Sequence, residues 1–570
     1  MRVLKSIIIA AAFSLVLLPS CQKASSPQKA IAPITGSAGQ PDLFAKRIEK
    51  IGDRVYCAVG YALANSMMVV ANGGKVIIDT TESVPAAREI KEQFDRIAPG
   101  PVTAIIYTHT HPDHILGASV FYQPGVPIWA HASAKQEMDE QFASLGATLR
   151  YRGAKQFGLL LDPALKISNG IGPQLRLESG PTPPLLYPTQ TFTGRAEFAA
   201  GGVNFELHEA PGETTDQIFV WLPKEKVLFP GDNIYQAFPN LYSTRGVPPR
   251  PVRRWIASLD EMRTLAPDFL VPSHTGPIRG ASLIQEILTA YRDGIEFVHD
   301  SVIRLANAGL NPDEMVEKIK LPSHLGDHPY LQETYGKVSW SVRGIYDGYL
   351  GWFDGNATNL ERLPAREYSR RMVQLAGGQP KVGQEMKAAL ERRDWQWAAE
   401  LADLVLTQEP QDAGAKNAKA QALRQLGQGE TNFNARGYYL TSALELEGQY
   451  ESPKRPKINI DTIRNLPVEV LLNTLPERLN PDRTADINKV IGFEFIDSGK
   501  HFTFLIRRGV GEINGQAAVK PDLKFTSSEA DFKAFLIGDL SPASALVSGR
   551  VRVQGGLVEL VKFKSYLIEQ

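Results

Sequence analysis

Tyr107-Thr108-His109-Thr110-His111-Pro112-Asp113-His114 is the stretch on which the fold turns. An apolar, partly β-branched run, Val102 to Tyr107, leads into it and is bounded by Pro101, so it reads as a buried strand. If the chain leaves that strand extended, His109 and His111 project to the same side. Asp113 and His114 then sit one turn further on and can face a second ion. Neutral imidazoles and a carboxylate are ligands that zinc prefers. Two ions a few Å apart make a site that can generate hydroxide and hold an oxyanion. The competing reading is a surface turn. The chain has only 10 histidines, and three of them fall here beside an aspartate, which favours metal.

Composition narrows the class. The chain has 570 residues, with 62 Lys plus Arg against 62 Asp plus Glu, so the formal net charge is zero. That length suggests two to four domains. Nothing is basic enough to suggest a nucleic-acid partner. Two cysteines, Cys21 and Cys57, are too few for a disulfide framework. Arg2 and Lys5 precede an apolar run, Ile7 to Leu18, and then Leu18-Pro19-Ser20-Cys21. Residues 1–21 therefore read as a signal peptide, the run being too short for a spanning helix. Its end resembles a bacterial lipoprotein box with Cys21 as the lipidated residue, although the proline is unusual there. The expected location is outside the cytoplasm, in the periplasm or at a bacterial outer membrane, with the lipid anchor as the only membrane contact. Cys57 is expected to be a lone buried thiol.

Residues 22–43, rich in Ser, Pro, Gly, Ala and Gln, read as a flexible tether. A first domain is expected over 44–285. Val55 to Tyr61 and Ser66 to Val70 are strand-like, and the turn at Asn72-Gly73-Gly74 leads into Lys75 to Asp79. Ser83 to Ile97 reads as an amphipathic helix, Pro127 to His131 as a strand ending in a structural histidine, and Ser133 to Leu145 as a helix. Residues 150–195 read as loop-rich. Val203 to Glu209, Gln217 to Leu222 and Lys226 to Phe229 are further strands. A helical region follows over 286–448, with a long helix at Ile284 to Asn307. A tetratricopeptide-like hairpin spans Lys387 to Leu406 and Asp412 to Leu426, broken at Glu409-Pro410. A linker at 451–458 precedes an α+β domain within 449–570, with a helix at Thr462 to Leu472, a hairpin turning at Asp497-Ser498-Gly499-Lys500, and a helix at Glu529 to Ile537.

The pattern His-x-His-x-Asp-His closed by Gly117 resembles the signature of the metallo-β-lactamase superfamily. That resemblance implies an α/β fold of stacked layers, an αββα sandwich with a one- or two-metal hydrolase site. Arg150-Tyr151-Arg152-Gly153-Ala154-Lys155-Gln156-Phe157-Gly158 resembles a segment peculiar to the alkylsulfatases. After Ala210-Pro211-Gly212, where many superfamily members have histidine, this chain has Glu213, as the alkylsulfatase branch does. The aromatic, Gly-rich run from Tyr346 to Asn356 resembles that family's dimerisation domain, and the last region resembles its sterol-carrier-like domain.

The resemblance implies roles residue by residue. His109, His111 and Glu213 would bind one Zn2+, and Asp113, His114 and His274 a second. Asp232 would bridge them, where the family usually has glutamate. Asn240, Arg245 and Arg250 would hold a sulfate; arginine's planar fork suits a tetrahedral oxyanion, and asparagine adds a neutral donor. Asp113 and His328 are the candidate catalytic residues. His328 falls where the family has a histidine near the sulfate, with a structural histidine as the alternative. Trp340 stands where relatives have a polar residue. The implied reaction is zinc-dependent hydrolysis of an amphiphilic sulfate ester of the dodecyl sulfate type by a homodimer. The alternatives are another hydrolase on this fold, acting on a lactone, a β-lactam or a phosphodiester, and a catalytically silent, amphiphile-binding lipoprotein.

Overall fold

The computed structural model describes residues 43–142, 144–176, 184–449 and 460–568. The expected signal peptide, Cys21, almost all of the tether, and the linker at 451–458 lie outside these residues.

Two sheets face each other. The first has seven strands in sequence order: β1 (Arg47–Ile51), β2 (Val55–Val59), β3 (Ser66–Ala71), β4 (Gly74–Ile78), β5 (Val102–Ile106), β6 (Ile128–His131) and β7 (Gln190–Phe192). The first four form an antiparallel meander, and β4 through β7 run parallel. Asn72-Gly73 makes the β3–β4 hairpin because Gly73 supplies a φ of +82°. The second sheet runs β13 (Ile278–Arg279), β12 (Phe269–Leu270), β11 (Val227–Phe229), β10 (Ile218–Leu222), β9 (Val203–Glu209) and β8 (Arg195–Ala200).

Side-chain alternation along the strands builds the layers. In β10, Ile218, Val220 and Leu222 enter the core between the sheets with Val203, Phe205 and Leu207 of β9, Val69 of β3 and Ile106 of β5. The intervening Phe219 and Trp221 face outward beneath helices. On the first sheet's outer face lie α1 (Val84–Ile97), α2 (Pro112–Ile115), α3 (Ala118–Phe121) and α4 (Ala134–Phe142), and α5 (Gly146–Gln156) follows, packed against α4. α1 starts where Ser83 Oγ accepts from the Ala86 N–H, and it buries the stripe Ala86, Ala87, Ile90 and Phe94. On the second sheet's outer face, α6 (Val252–Thr264) and α7 (Ala281–Asn307) bury Trp255, Leu259, Ile287 and Tyr291. Each such aliphatic or aromatic side chain contributes about 1.5–3 kcal/mol. The order is αββα, as expected.

The helical unit follows with α8 (Pro312–Lys318), α9 (Ser323–Gly326), α10 (Val338–Leu350), α11 (Ala365–Leu375), α12 (Gln379–Glu391), α13 (Trp395–Gln408), α14 (Ala413–Gly429) and α15 (Phe433–Leu446). The C-terminal unit has a five-stranded sheet, ordered β16 (Val510–Asn514), β15 (His501–Arg507), β14 (Asn488–Phe495), β17 (Leu523–Ser527) and β18 (Val551–Gln554). Phe493, Phe525, Phe532 and Phe563 fill its core, which accounts for the aromatic alternation of the sequence.

Several elements differ from expectation. The loop-rich reading of 150–195 missed that Arg150 to Gln156 continue α5 and that β7 lies at the far end. The helix expected over Lys387–Leu406 is two, α12 and α13, separated at Arg392–Asp394, where Arg393 has φ +63° and Asp394 caps the second. The helix expected over Thr462–Leu472 is likewise two, because Pro467 cannot donate in a helix interior. β1 and β8 carry polar edge-strand patterns and escaped assignment.

Candidate metal centre and anion pocket

Every predicted ligand lies at one edge of the sandwich, because the loops that leave β5, β9, β11 and β12 all emerge there. Thr108 to His114 follow β5, Glu213 lies between β9 and β10, Asp232 follows β11, and His274 follows β12.

Two groups of donors converge. His109, His111 and Asp232 form one, and Asp113, His114 and His274 the other; within each group the ligand atoms lie within 4.8 Å of one another. Asp232 Oδ2 stands between the groups, 3.8 Å from His109 Nε2, 3.4 Å from His114 Nε2 and 3.1 Å from His274 Nε2. Glu213 Oε1 lies 3.9 Å from His111 Nδ1, while Oε2 is paired with the Arg250 guanidinium. Asp232, rather than Glu213, therefore completes the first tight group.

The surroundings orient these rings. His114 Nδ1 faces Asp79 Oδ2 at 2.8 Å, and His274 Nδ1 faces the Leu63 carbonyl at 2.9 Å. Both Nδ1 atoms act as donors there, which leaves the Nε2 lone pairs turned into the cluster. His114 Nε2 and Asp232 Oδ1 are buried and have no hydrogen-bond partner among the described residues. Buried polar atoms without partners are costly. Unpartnered donor atoms, imidazole nitrogens presented as lone pairs, and a central carboxylate fit a divalent metal such as zinc.

The electrostatics agree. Burial pushes His109 well below the usual histidine range, and the charge of His114 adds to this. Burial, then His109 and Arg245, do the same to His111. Both are therefore neutral, as ligands must be. For His114, burial acts downward, but Asp232, Asp113 and Asp79 outweigh it and hold the ring well above its usual value. His274 is raised to about 9 by Asp232 and Asp113 against the same burial. Burial likewise opposes ionisation of Asp113, yet His114 and His274 bring it down to about 2. Without an ion, protons supply the positive charge that the carboxylates require.

Beside the cluster lie the expected anion donors. Arg245 Nη2 donates to His111 Nε2 at 3.0 Å, and its Nη1 to Ser243 Oγ at 3.1 Å. Arg250 is buried; burial lowers its guanidinium to about 9, and its Nε and Nη2 have no partner among the described residues. Asn240 is fully buried, and both its amide atoms lack a partner among the described residues. Open cationic and neutral donors in a buried setting suit an oxyanion. His328 Nδ1 accepts the Tyr330 N–H at 3.2 Å, capping a short turn; its Nε2 is buried with no partner among the described residues, and burial lowers the ring with only Glu286 opposing. His131 ends β6 and lies 3.3 Å from Glu209. Lys337 sits over the Trp340 ring.

Sequence reasoning passed over four residues here. Asp79 accepts from the Thr108 N–H at 2.9 Å, Thr108 Oγ1 at 2.8 Å and Ser273 Oγ at 2.7 Å while holding His114. Its place, an acidic residue closing the apolar strand pattern that ends at Asp79, was a signal; in the structure it sits at φ +55°. Glu82, buried, accepts the N–H groups of Leu63 and Arg176, and burial raises it to about 7. Tyr335, raised by burial to about 12, feels Arg245, Asp113, Asp232 and Arg250 together. Gln156 accepts three bonds from residues 243–245. Glu82 and Tyr335 have no motif to announce them; Gln156 lies in the Arg150–Gly158 segment that resembles the alkylsulfatases, which did not single it out.

The family described as metallo-beta-lactamase superfamily matches residues 60–274, alkyl sulfatase dimerisation matches 311–449, and alkyl sulfatase C-terminal matches 456–570. The chain is 35% identical over 515 residues to a linear primary-alkylsulfatase of a Pseudomonas species, a match covering 87% of this chain and 97% of that one. It is 28% identical over 530 residues to the alkyl/aryl-sulfatase BDS1 of Saccharomyces cerevisiae, covering 90% and 81%. The solved structure of a stereoselective inverting sec-alkylsulfatase from Pseudomonas superposes with a TM-score of 0.85 at 25% identity, covering 92% of this chain and 85% of that one.

Proposed function

The chain belongs to the alkylsulfatase family of metallo-β-lactamase-fold hydrolases, and we propose that it hydrolyses linear alkyl sulfate esters of the dodecyl sulfate type with two zinc ions. The observation that carries this reading is the meeting of two donor groups at Asp232 Oδ2, beside Arg245 and the unpaired donors of Asn240 and Arg250. His109, His111 and Glu213 would hold one ion and Asp113, His114 and His274 the other, with Asp232 shared. When bound, such ions supply Lewis acidity and bring the pKa of a water towards about 7.

The protein's own groups do the remainder. Asp79 and the Leu63 carbonyl keep His114 and His274 in one tautomer. Arg245, Arg250 and Asn240 take the sulfate oxygens, and an anion there gives a partner to Arg250 Nε and Nη2, which the Glu213 ion pair leaves unpaired. Water adds, the ester bond breaks, and the products are an alcohol and hydrogen sulfate. Arg245→Ala tests the assignment: sulfate release from dodecyl sulfate should fall at least about 100-fold, as for loss of a charge-assisted contact to developing charge, with metal content unchanged. Unchanged turnover would remove Arg245 from the site.

The same proposal includes a homodimer. Tyr349, Leu350, Trp352 and Leu375 are large apolar side chains left exposed in the helical unit, and that unit matches the dimerisation family. A monomer mass in light scattering would contradict it. Export with lipidation at Cys21 is proposed from the leader alone, and the intact mass of the mature protein tests it.

A further inference from the structure

Residues 243–245, which carry Arg245, are gripped from two helices. One oxygen, Gln156 Oε1 at the end of α5, accepts from Ser243 Oγ at 3.0 Å, Thr244 Oγ1 at 3.0 Å and the Arg245 N–H at 2.8 Å. Gln156 is 1% exposed, so these bonds form away from water. Arg245 Nη1 donates to the same Ser243 Oγ at 3.1 Å. Backbone and guanidinium of Arg245 are thus both referred to one amide oxygen.

The second grip is on the Thr244 carbonyl. It accepts Arg152 Nη2 of α5 at 2.8 Å and the Tyr438 hydroxyl of α15 at 3.0 Å. α15 is held to α5 by Glu445, which accepts the Tyr151 hydroxyl at 2.8 Å and pairs with Lys155. The two helices approach closely because position 437 is glycine. A Cβ there would stand 2.5 Å from the carbonyl oxygens of both Lys155 and Gln156. α15 belongs to the helical unit, within residues 311–449.

Side chains held by packing and by a supporting shell of hydrogen bonds keep productive geometry, and a displacement of about 1 Å can cost about 100-fold. We propose that Gln156, backed by Tyr438, is the positioning residue for Arg245, so that the helical unit completes the anion pocket in addition to any role in assembly. This rests on the reading of Arg245 as a sulfate donor. The hydrogen bonds of Gln156 and Tyr438 given above reach residues 243–245 and no predicted metal ligand, so the two act through that segment.

The test uses the full-length, metal-loaded protein and decanesulfonate, a non-hydrolysable isostere, with binding read by calorimetry and turnover of decyl sulfate read beside it. Gln156→Leu should weaken decanesulfonate about tenfold and raise KM by a similar factor, the loss expected when one buried acceptor leaves its donors unpaired, while kcat falls less than KM rises. Tyr438→Phe, which should fold normally, should weaken binding about threefold. Gln156→Glu, whose carboxylate accepts the same donors, should restore most of the affinity that leucine loses. Zinc content should stay constant throughout, a readout that general disruption of the fold would move. Wild-type affinity in both Gln156→Leu and Tyr438→Phe, with Arg245→Ala losing binding, would overturn the positioning role alone. Wild-type affinity in Arg245→Ala would overturn the sulfate assignment and this inference with it. If Gln156→Leu does not fold, Tyr438→Phe carries the decision: wild-type affinity there, with Arg245→Ala losing binding, overturns the positioning role.

Discussion

Replacing Asp79 by asparagine probes how the metal centre is built without touching a predicted ligand. Asp79 Oδ2 lies 2.8 Å from His114 Nδ1, and it also takes the hydroxyls of Thr108 and Ser273, while Oδ1 takes the Thr108 N–H. Every one of these neighbours presents a hydrogen to the carboxylate. An asparagine of the same shape must turn its NH2 towards either the Thr108 N–H or His114 Nδ1–H. Hydroxyls can rotate away from a new donor, but those two groups cannot. One buried donor is left facing another, at about 1–3 kcal/mol. Loss of an outer partner to a ligating histidine costs about 10–100-fold in metal affinity, or about 1.4–2.8 kcal/mol, so the two estimates agree. Asp79→Asn should therefore weaken the ion at His114 by 10–100-fold on this scale and leave the His109–His111 ion less affected. Competition against a chromogenic chelator, with metal counted by mass spectrometry, resolves the two affinities. Two ions retained at wild-type affinity would refute the argument that Asp79 fixes the His114 tautomer.

Further outcomes follow from the same geometry. His274 is raised to about 9 in the metal-free protein, above the unfolded value near 6.5, so its contribution to stability is full below about pH 6.5 and is lost as pH rises through about 9. The melting temperature of chelator-treated protein should fall over that window, and added zinc should abolish the fall; a flat profile without metal would contradict the proton-for-metal exchange. His328 caps a turn by accepting the Tyr330 N–H, so His328→Asn, which keeps an acceptor, should retain kcat within about threefold if its role is structural, while a loss of about 100-fold or more would support the proton-donor role, whose usual range is 10²–10⁴. Gly437→Val drives a side chain into the Lys155 and Gln156 carbonyls and should cost about 1–3 kcal/mol in denaturant unfolding; a neutral result would mean that α15 and α5 do not pack as described.

The sandwich was legible because its signals are local. Alternation in Val203 to Glu209, the Asn72-Gly73 turn and the Ser83 cap each specify a short element by backbone chemistry. The ligand types were legible because three histidines crowd into six residues. The supporting residues were not, because their roles are made by distance along the chain. Leu63 meets His274 across 211 positions, and Gln156 meets Arg245 across 89. A leucine carbonyl carries no pattern that predicts this, and the Arg150–Gly158 resemblance marked the segment of Gln156 without its partner. Helix breaks were misread where one residue decides: Arg393 at positive φ and Pro467 interrupt runs whose composition is otherwise helical. The ligand partition was subtler still. Asp232 sits closer to His109 and His111 than spacing suggests, while Glu213 is turned towards Arg250.

The most direct measurement is sulfate release from sodium dodecyl sulfate by metal-loaded protein lacking residues 1–21, assayed with and without a chelator and beside His111→Ala. The account predicts release that both the chelator and the substitution abolish. A protein that holds two zinc ions yet releases no sulfate would contradict it.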